Sequence, residues 1–137
     1  MCWTSTKAEK KIANKDIEVF KIGHFRDDMF CSLFLGFYYQ LNQLYSTNIH
    51  IKVGINNKIE GTQGFHSYNS SIVKLEVRPC AWYIYFRATM LDCCFISNNF
   101  IKAECIIPKG SEYYENNMGE IISNQIVIKN VIPMNRL

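Results

Sequence analysis

With 137 residues, 48% of them apolar, the chain has the length of one folded domain and too much core-forming material for a disordered tail. Its formal charge of +3 comes from dispersed basic residues, without the concentrated patch that DNA or RNA binding needs. It contains no run of about 18 apolar residues, so no membrane-crossing helix is expected.

The basic residues cluster only at Lys7, Lys10, Lys11 and Lys15, which reads as the solvated face of a helix. The opening MCWTSTKAEKK lacks the apolar centre of a signal peptide, and the cytoplasm is the expected compartment. None of the six cysteines forms a C-x-x-C pair, and His24, His50 and His66 are not at helical ligand spacing. No zinc site, no cofactor and no required disulfide are expected, and in a reducing compartment the thiols serve as small buried apolar groups.

In chain order, Thr6-Lys7-Ala8-Glu9 matches a capping box and predicts a short helix over 7–13. Residues 16–23, DIEVFKIG, alternate. Ile17, Val19 and Lys21 share one face, and Glu18, Phe20 and Ile22 the other. With apolar groups on both faces this is an interior strand. Residues 24–28 are polar and turn-like. Residues 29–45 are almost continuously apolar; Gly36 and the aromatics favour strand, though periodicity alone leaves helix open. Residues 48–55, NIHIKVGI, place Ile49, Ile51, Val53 and Ile55 on one face of a half-buried strand. Asn56-Asn57 is a turn signal.

Residues 60–70, EGTQGFHSYNS, read as a polar, glycine-containing loop, the place where a small sheet domain puts function. Ser70-Ser71 can cap a short helix through Leu75. Residues 82–90, WYIYFRATM, are β-prone, and 92–99 form a connection holding Cys93 and Cys94. Residues 101–107 make an apolar strand stopped by Pro108, and Lys109-Gly110-Ser111 continue the turn. Ile121, Ile122, Ile126, Val127 and Ile128 form the β-branched run expected to pair with it. The insert Ser123-Asn124-Gln125 marks a bend, an edge or a site, because three polar residues inside a buried strand need partners. Residues 131–137 read as a tail. The sum is a single α+β domain over 1–137, with a small twisted, mainly antiparallel sheet and one or two short helices.

MCWTS, DIEVFKI, EGTQGFHSY and IIPKGSEYYENNMGEIISNQI together resemble a family of small uncharacterised proteins of gut anaerobes and their phages. The resemblance covers most of the chain in the same order, and it implies a mobile-element setting, with host cytoplasm as the compartment. A weaker resemblance runs to the ADP-ribosyltransferase fold, through Ile107-Pro108-Lys109-Gly110 and Glu120. It implies Lys21 as the basic residue of the first strand and a middle motif near His66-Ser67-Tyr68. The second acid of that pattern is missing, since its position is Ile122, and no Ser-Thr-Ser motif is present.

The candidate site joins the 60–70 loop to the 109–125 hairpin. His66 can act as acid or base, contact a ligand, or hold its loop through a backbone hydrogen bond. Ser67 neighbours it, and Tyr68, Tyr113 and Tyr114 can stack on a base or fill the core. Lys109, Gly110 and Ser111 offer an ammonium and backbone N–H groups to a phosphate, or simply make a turn. Glu120, Ser123, Asn124 and Gln125 supply directed hydrogen bonds, or a charged strand end and a bulge.

Three function classes follow. The first is non-catalytic binding of a nucleotide-like small molecule, as by a phage anti-defence protein that sequesters a cyclic-nucleotide immune signal. The second is an ADP-ribosyltransferase-like enzyme using NAD. The third is a protein-interaction module, or a homo-oligomer, built on the 14% aromatic content.

Overall fold

The computed structural model describes residues 3–32, 37–69 and 101–133. The expected residue 70–75 helix, residue 82–90 strand and residue 92–99 connection lie outside these residues. The described residues carry thirteen strands: β1 (Trp3–Ser5), β2 (Lys11–Ile12), β3 (Ile17–Arg26), β4 (Met29–Ser32), β5 (Tyr38–Gln40), β6 (Leu44–Ser46), β7 (His50–Val53), β8 (Ile59–Gln63), β9 (Phe65–Asn69), β10 (Ile101–Ile107), β11 (Glu112–Glu115), β12 (Glu120–Ser123) and β13 (Gln125–Pro133). The only helical piece among them is one three-residue 3-10 turn, Ile55–Asn57. The fold is therefore mainly β, which corrects the α+β expectation.

The helix expected over 7–13 shows why. Its sequence has no apolar stripe to bury, so a capping box alone cannot hold it. Strand pairing takes the segment instead. Lys11 and Ile12 pair with β11, Ala13 N–H donates to the Ser111 carbonyl at 2.9 Å, and Gly110 N–H donates to the Ala13 carbonyl at 2.7 Å.

A ten-stranded sheet runs β2-β11-β12-β9-β3-β10-β13-β6, with β4 on β3 and β5 on β4; a three-stranded sheet runs β1-β8-β7. Every described pair is antiparallel. The interior-strand reading of 16–23 holds: β3 is buried from Val19 to Gly23 and lies between β9 and β10. It extends to Arg26, past the expected turn, and reverses at Asp27 and Asp28, both at positive φ. The core collects Val19, Phe30, Tyr39, Phe65, Ala103, Cys105, Ile107, Ile121, Ile126 and Ile128.

Residues 101–107 do pair with the second β-branched run, but only with its β13 part, Cys105 facing Ile128 and Ile106 facing Val127. The other part, β12, pairs with β11 and β9. Asn124 is the bend that separates them. The tail expected from 131 is strand through Pro133.

Within the residue 60–70 segment, the described part, 60–69, is not a loop. It is β8 and β9, one in each sheet, joined at Gly64 with φ +141°. An L side chain there would be strained and would overlap Ile122. The 48–55 face is half-buried only in its first part, at Ile49 and Ile51: Val53, at the end of β7 on the outer strand of the small sheet, is 71% exposed, and Ile55, in the 3-10 turn, is 86% exposed. The Asn56-Asn57 turn holds, both residues at positive φ.

Candidate functional site

One edge of β3 is incompletely covered. β9 pairs with it at Val19 and Phe20, and β4 pairs with it from Gly23 to Arg26. Between them Lys21 and Ile22 have no strand partner on that edge among the described residues, while β10 holds the opposite edge from Ile17 to Gly23. A cavity of about 450 Å³ opens at this gap, within the size range of small-ligand sites. Its walls come from β3 (Lys21, Ile22), the β4–β6 region (Phe37, Tyr39, Tyr45), and the β8–β9 corner around Gly64 (Gln63, His66, Tyr68).

Lys21 is the charged group of this cavity. The alternation of β3 that buries Val19 also turns Lys21 inward, leaving it 5% exposed. The His66 carbonyl lies beyond the end of the β3–β9 ladder and accepts a hydrogen bond from Lys21 Nζ. The ammonium stands 5.6 Å from the centroid of the Tyr39 ring, within cation–π range. No carboxylate pairs with it among the described residues. An ammonium has three N–H donors. One is used on His66, and the other two have no acceptor among the described residues. Burial lowers the Lys21 pKa to about 8, against a smaller opposing effect from Cys105.

His66 brings a second polar group to the wall. Its Nε2 is buried and lies 3.3 Å from Glu120 Oε2, in ion-pair reach but off the line of a hydrogen bond. Burial pushes the imidazole below its ordinary value, more than the neighbouring carboxylate raises it, so the ring is neutral at pH 7. Burial alone would raise the Glu120 carboxyl, but the adjacent His66 ring and the hydrogen bond from Asn116 outweigh this and hold it below the ordinary value. Tyr68 stacks on Phe20 with ring centroids 5.3 Å apart.

The candidates thus divide. Lys21, His66 and Tyr68 line the cavity, and Glu120 touches it only through His66. Ser67 points to the opposite face of β9, is fully buried, and its hydroxyl has no hydrogen-bond partner among the described residues. Tyr114 lies on β11, its ring centroid 6.1 Å from that of Trp3, and does not line the cavity.

The remaining candidates brace the hairpin instead of the cavity. Lys109 donates its backbone N–H to Asp16 Oδ1 at 2.9 Å. Ser111 donates its hydroxyl to Gln125 Oε1 at 3.0 Å, and Asn124 Oδ1 accepts from Glu112 N–H at 2.9 Å. Gln125 reaches the cavity-lining Ser46 through the β13–β6 ladder and through its Nε2, 3.4 Å from Ser46 Oγ, without lining the cavity itself. The expected junction of the 60–70 and 109–125 segments exists as the β9–β12 ladder, and it gives the cavity His66, Tyr68 and, from the 109–125 segment, Ile122, an apolar residue and none of the polar candidates.

Sequence reasoning missed Phe37, Tyr39, Tyr45 and Gln63. The first three belong to an apolar run whose continuity hid them. Gln63 was inside a segment read whole as a loop.

Comparison with protein-family models, curated proteins and solved structures gives no match for this chain. No helix among the described residues is long and apolar enough to cross a membrane.

Proposed function

We propose that the chain binds, without consuming it, a nucleotide-like small molecule in the cavity beside β3. The observation that carries this reading is Lys21. A buried cation without a counter-ion is costly, and here the two donors that have no acceptor among the described residues adjoin a cavity walled by aromatic rings. An anionic group on a flat, ring-bearing ligand would supply the missing acceptors, and Tyr39, Tyr45, Phe37 and Tyr68 offer rings for stacking. Pockets of this kind, apolar with a few placed polar groups, are the usual form of small-ligand sites.

Non-catalytic binding is favoured because Glu120, the acid a transferase reading needs, does not line the cavity and is held by His66 and Asn116. With the resemblance to phage proteins, the reading extends to sequestration of a cyclic-nucleotide defence signal in the host cytoplasm.

The test is native mass spectrometry and calorimetry with a panel of linear and cyclic nucleotides, on the wild type and Lys21→Met. Binding to the wild type, weakened about tenfold or more in the variant, is the expected result. A folded wild type that retains no member of the panel would sink the nucleotide reading. Nicotinamide release from NAD would replace binding with catalysis.

A further inference from the structure

The hydrogen bonds behind His66 decide more than its position. Asn116 Oδ1 accepts from two backbone N–H groups, those of Met118 and Glu120, each at 2.9 Å. That fixes the orientation of the amide, since only its oxygen can accept. Asn116 Nδ2 therefore faces the other way, donating to the Thr4 carbonyl at 2.9 Å and to Glu120 Oε1 at 3.2 Å. The second carboxylate oxygen, Oε2, is left for His66 Nε2 at 3.3 Å. The contact is off the line of a hydrogen bond, but an ionised carboxylate 3.3 Å from a ring nitrogen repels a lone pair there and attracts an N–H, which puts the proton on Nε2.

We infer that Glu120 sets the hydrogen-bond polarity of the cavity: it keeps the His66 proton on Nε2, so Nδ1 meets the ligand as an acceptor, and the ligand presents an N–H or O–H donor there. Nε2 is the buried ring nitrogen, and the ring belongs to the cavity wall. Burial, which keeps the ring neutral, preserves the Nδ1 lone pair at pH 7. At ring position 6 this selects an amino group, which donates, in preference to an oxo group, which only accepts. This rests on the nucleotide reading, and Glu120 is a positioning residue in it.

Glu120→Gln turns the inference into a reversal. Asn116 Nδ2 still needs an acceptor, so the new amide turns its oxygen toward Asn116 and its NH2 toward His66. Nε2 must then accept, and the proton moves to Nδ1. The cavity would now offer a donor.

Two measurements test this. Long-range 1H–15N correlation spectra of the ligand-free protein report the His66 tautomer directly. Nε2–H is expected in the wild type and Nδ1–H in Glu120→Gln. Titration with adenosine and inosine 5′-monophosphates should favour the 6-amino nucleotide by about tenfold or more in the wild type and the 6-oxo nucleotide in the variant. An Nδ1–H tautomer in the wild type, or equal affinity for the two nucleotides, overturns the inference. If the spectra are as expected and neither nucleotide binds, the nucleotide reading fails, and the ligand half of this inference with it. The wild-type spectrum decides the tautomer even if the variant does not fold.

Discussion

Lys21 places a charge where the surrounding core would accept a hydrocarbon. Its pKa of about 8 against an ordinary 10.5 means that folding works against the ammonium at neutral pH, by up to about 3 kcal/mol. Losing its hydrogen bond to the His66 carbonyl costs less, roughly 1–2 kcal/mol. Lys21→Met should therefore be about 1–2 kcal/mol more stable than the wild type at pH 7, though it binds anions worse. The pH dependence has a definite sign. Between about pH 8 and 10.5 the unfolded chain holds a proton on Lys21 that the folded chain has lost, so this residue makes stability rise with pH in that window. Burial raises Cys105 to about 12 and Tyr39 further, and both act in the opposite direction above about pH 9. The quantity to read is thus the difference between wild type and variant. Urea melts of both proteins at pH 7 and pH 10 should show the variant's advantage shrinking or reversing. An advantage that stays constant would rule out Lys21 as the titrating group.

At the scale of elements, the hairpin from β11 to β13 is built around polar side chains that take main-chain or cross-strand bonds. Asn124 sits at the bend and accepts the Glu112 N–H; its own N–H donates to the Glu112 carbonyl at 3.0 Å. Ser111 and Gln125 link β11's approach to β13. Asn124→Ala should cost about 1–3 kcal/mol, the range for a partly buried donor left without its acceptor, and should leave ligand affinity unchanged. Denaturant midpoints paired with calorimetry check both halves. A loss of affinity without loss of stability would move Asn124 into the site. The polar interruption at 123–125 was visible in the sequence, and its presence did mark a bend. What it could not show is that the side chains face the hairpin, since a brace and a ligand contact use the same amides.

Across the whole molecule, the central contact joins distant parts of the chain: β3 pairs with β10 over seven residues, from Ile17 opposite Ile107 to Gly23 opposite Ile101. Closing such a loop precedes any gain from the core, so folding is slow for the size of the chain. Refolding followed by tryptophan fluorescence in a stopped-flow instrument should fall in the millisecond-to-second range, on the order of all-β domains. A dominant phase in microseconds would mean that local contacts, not the β3–β10 pairing, limit folding.

Alternation and β-branched content were enough to place the strands at β3 and β10, because a period of two is a local property that every interior strand must satisfy, but they did not divide the 121–128 run into β12 and β13. The turns at Asn56-Asn57 and after Pro108 were equally local, set by the φ preferences of asparagine, proline and glycine. That Lys21 shares a face with Val19 followed from the same alternation; that this face is buried at Lys21 did not. Tertiary structure decided the rest. Residues 60–70 look like a loop because their polar groups are numerous, yet β1, β7 and β12 provide ladders that turn 60–69 into two strands. Residues 7–13 carry a helix start but no face to bury, and β11 captures two of them. The cavity exists because β9 and β4 share one edge of β3 and leave Lys21 and Ile22 between them. Such a gap belongs to how three separate strands meet, and no stretch of sequence encodes it alone.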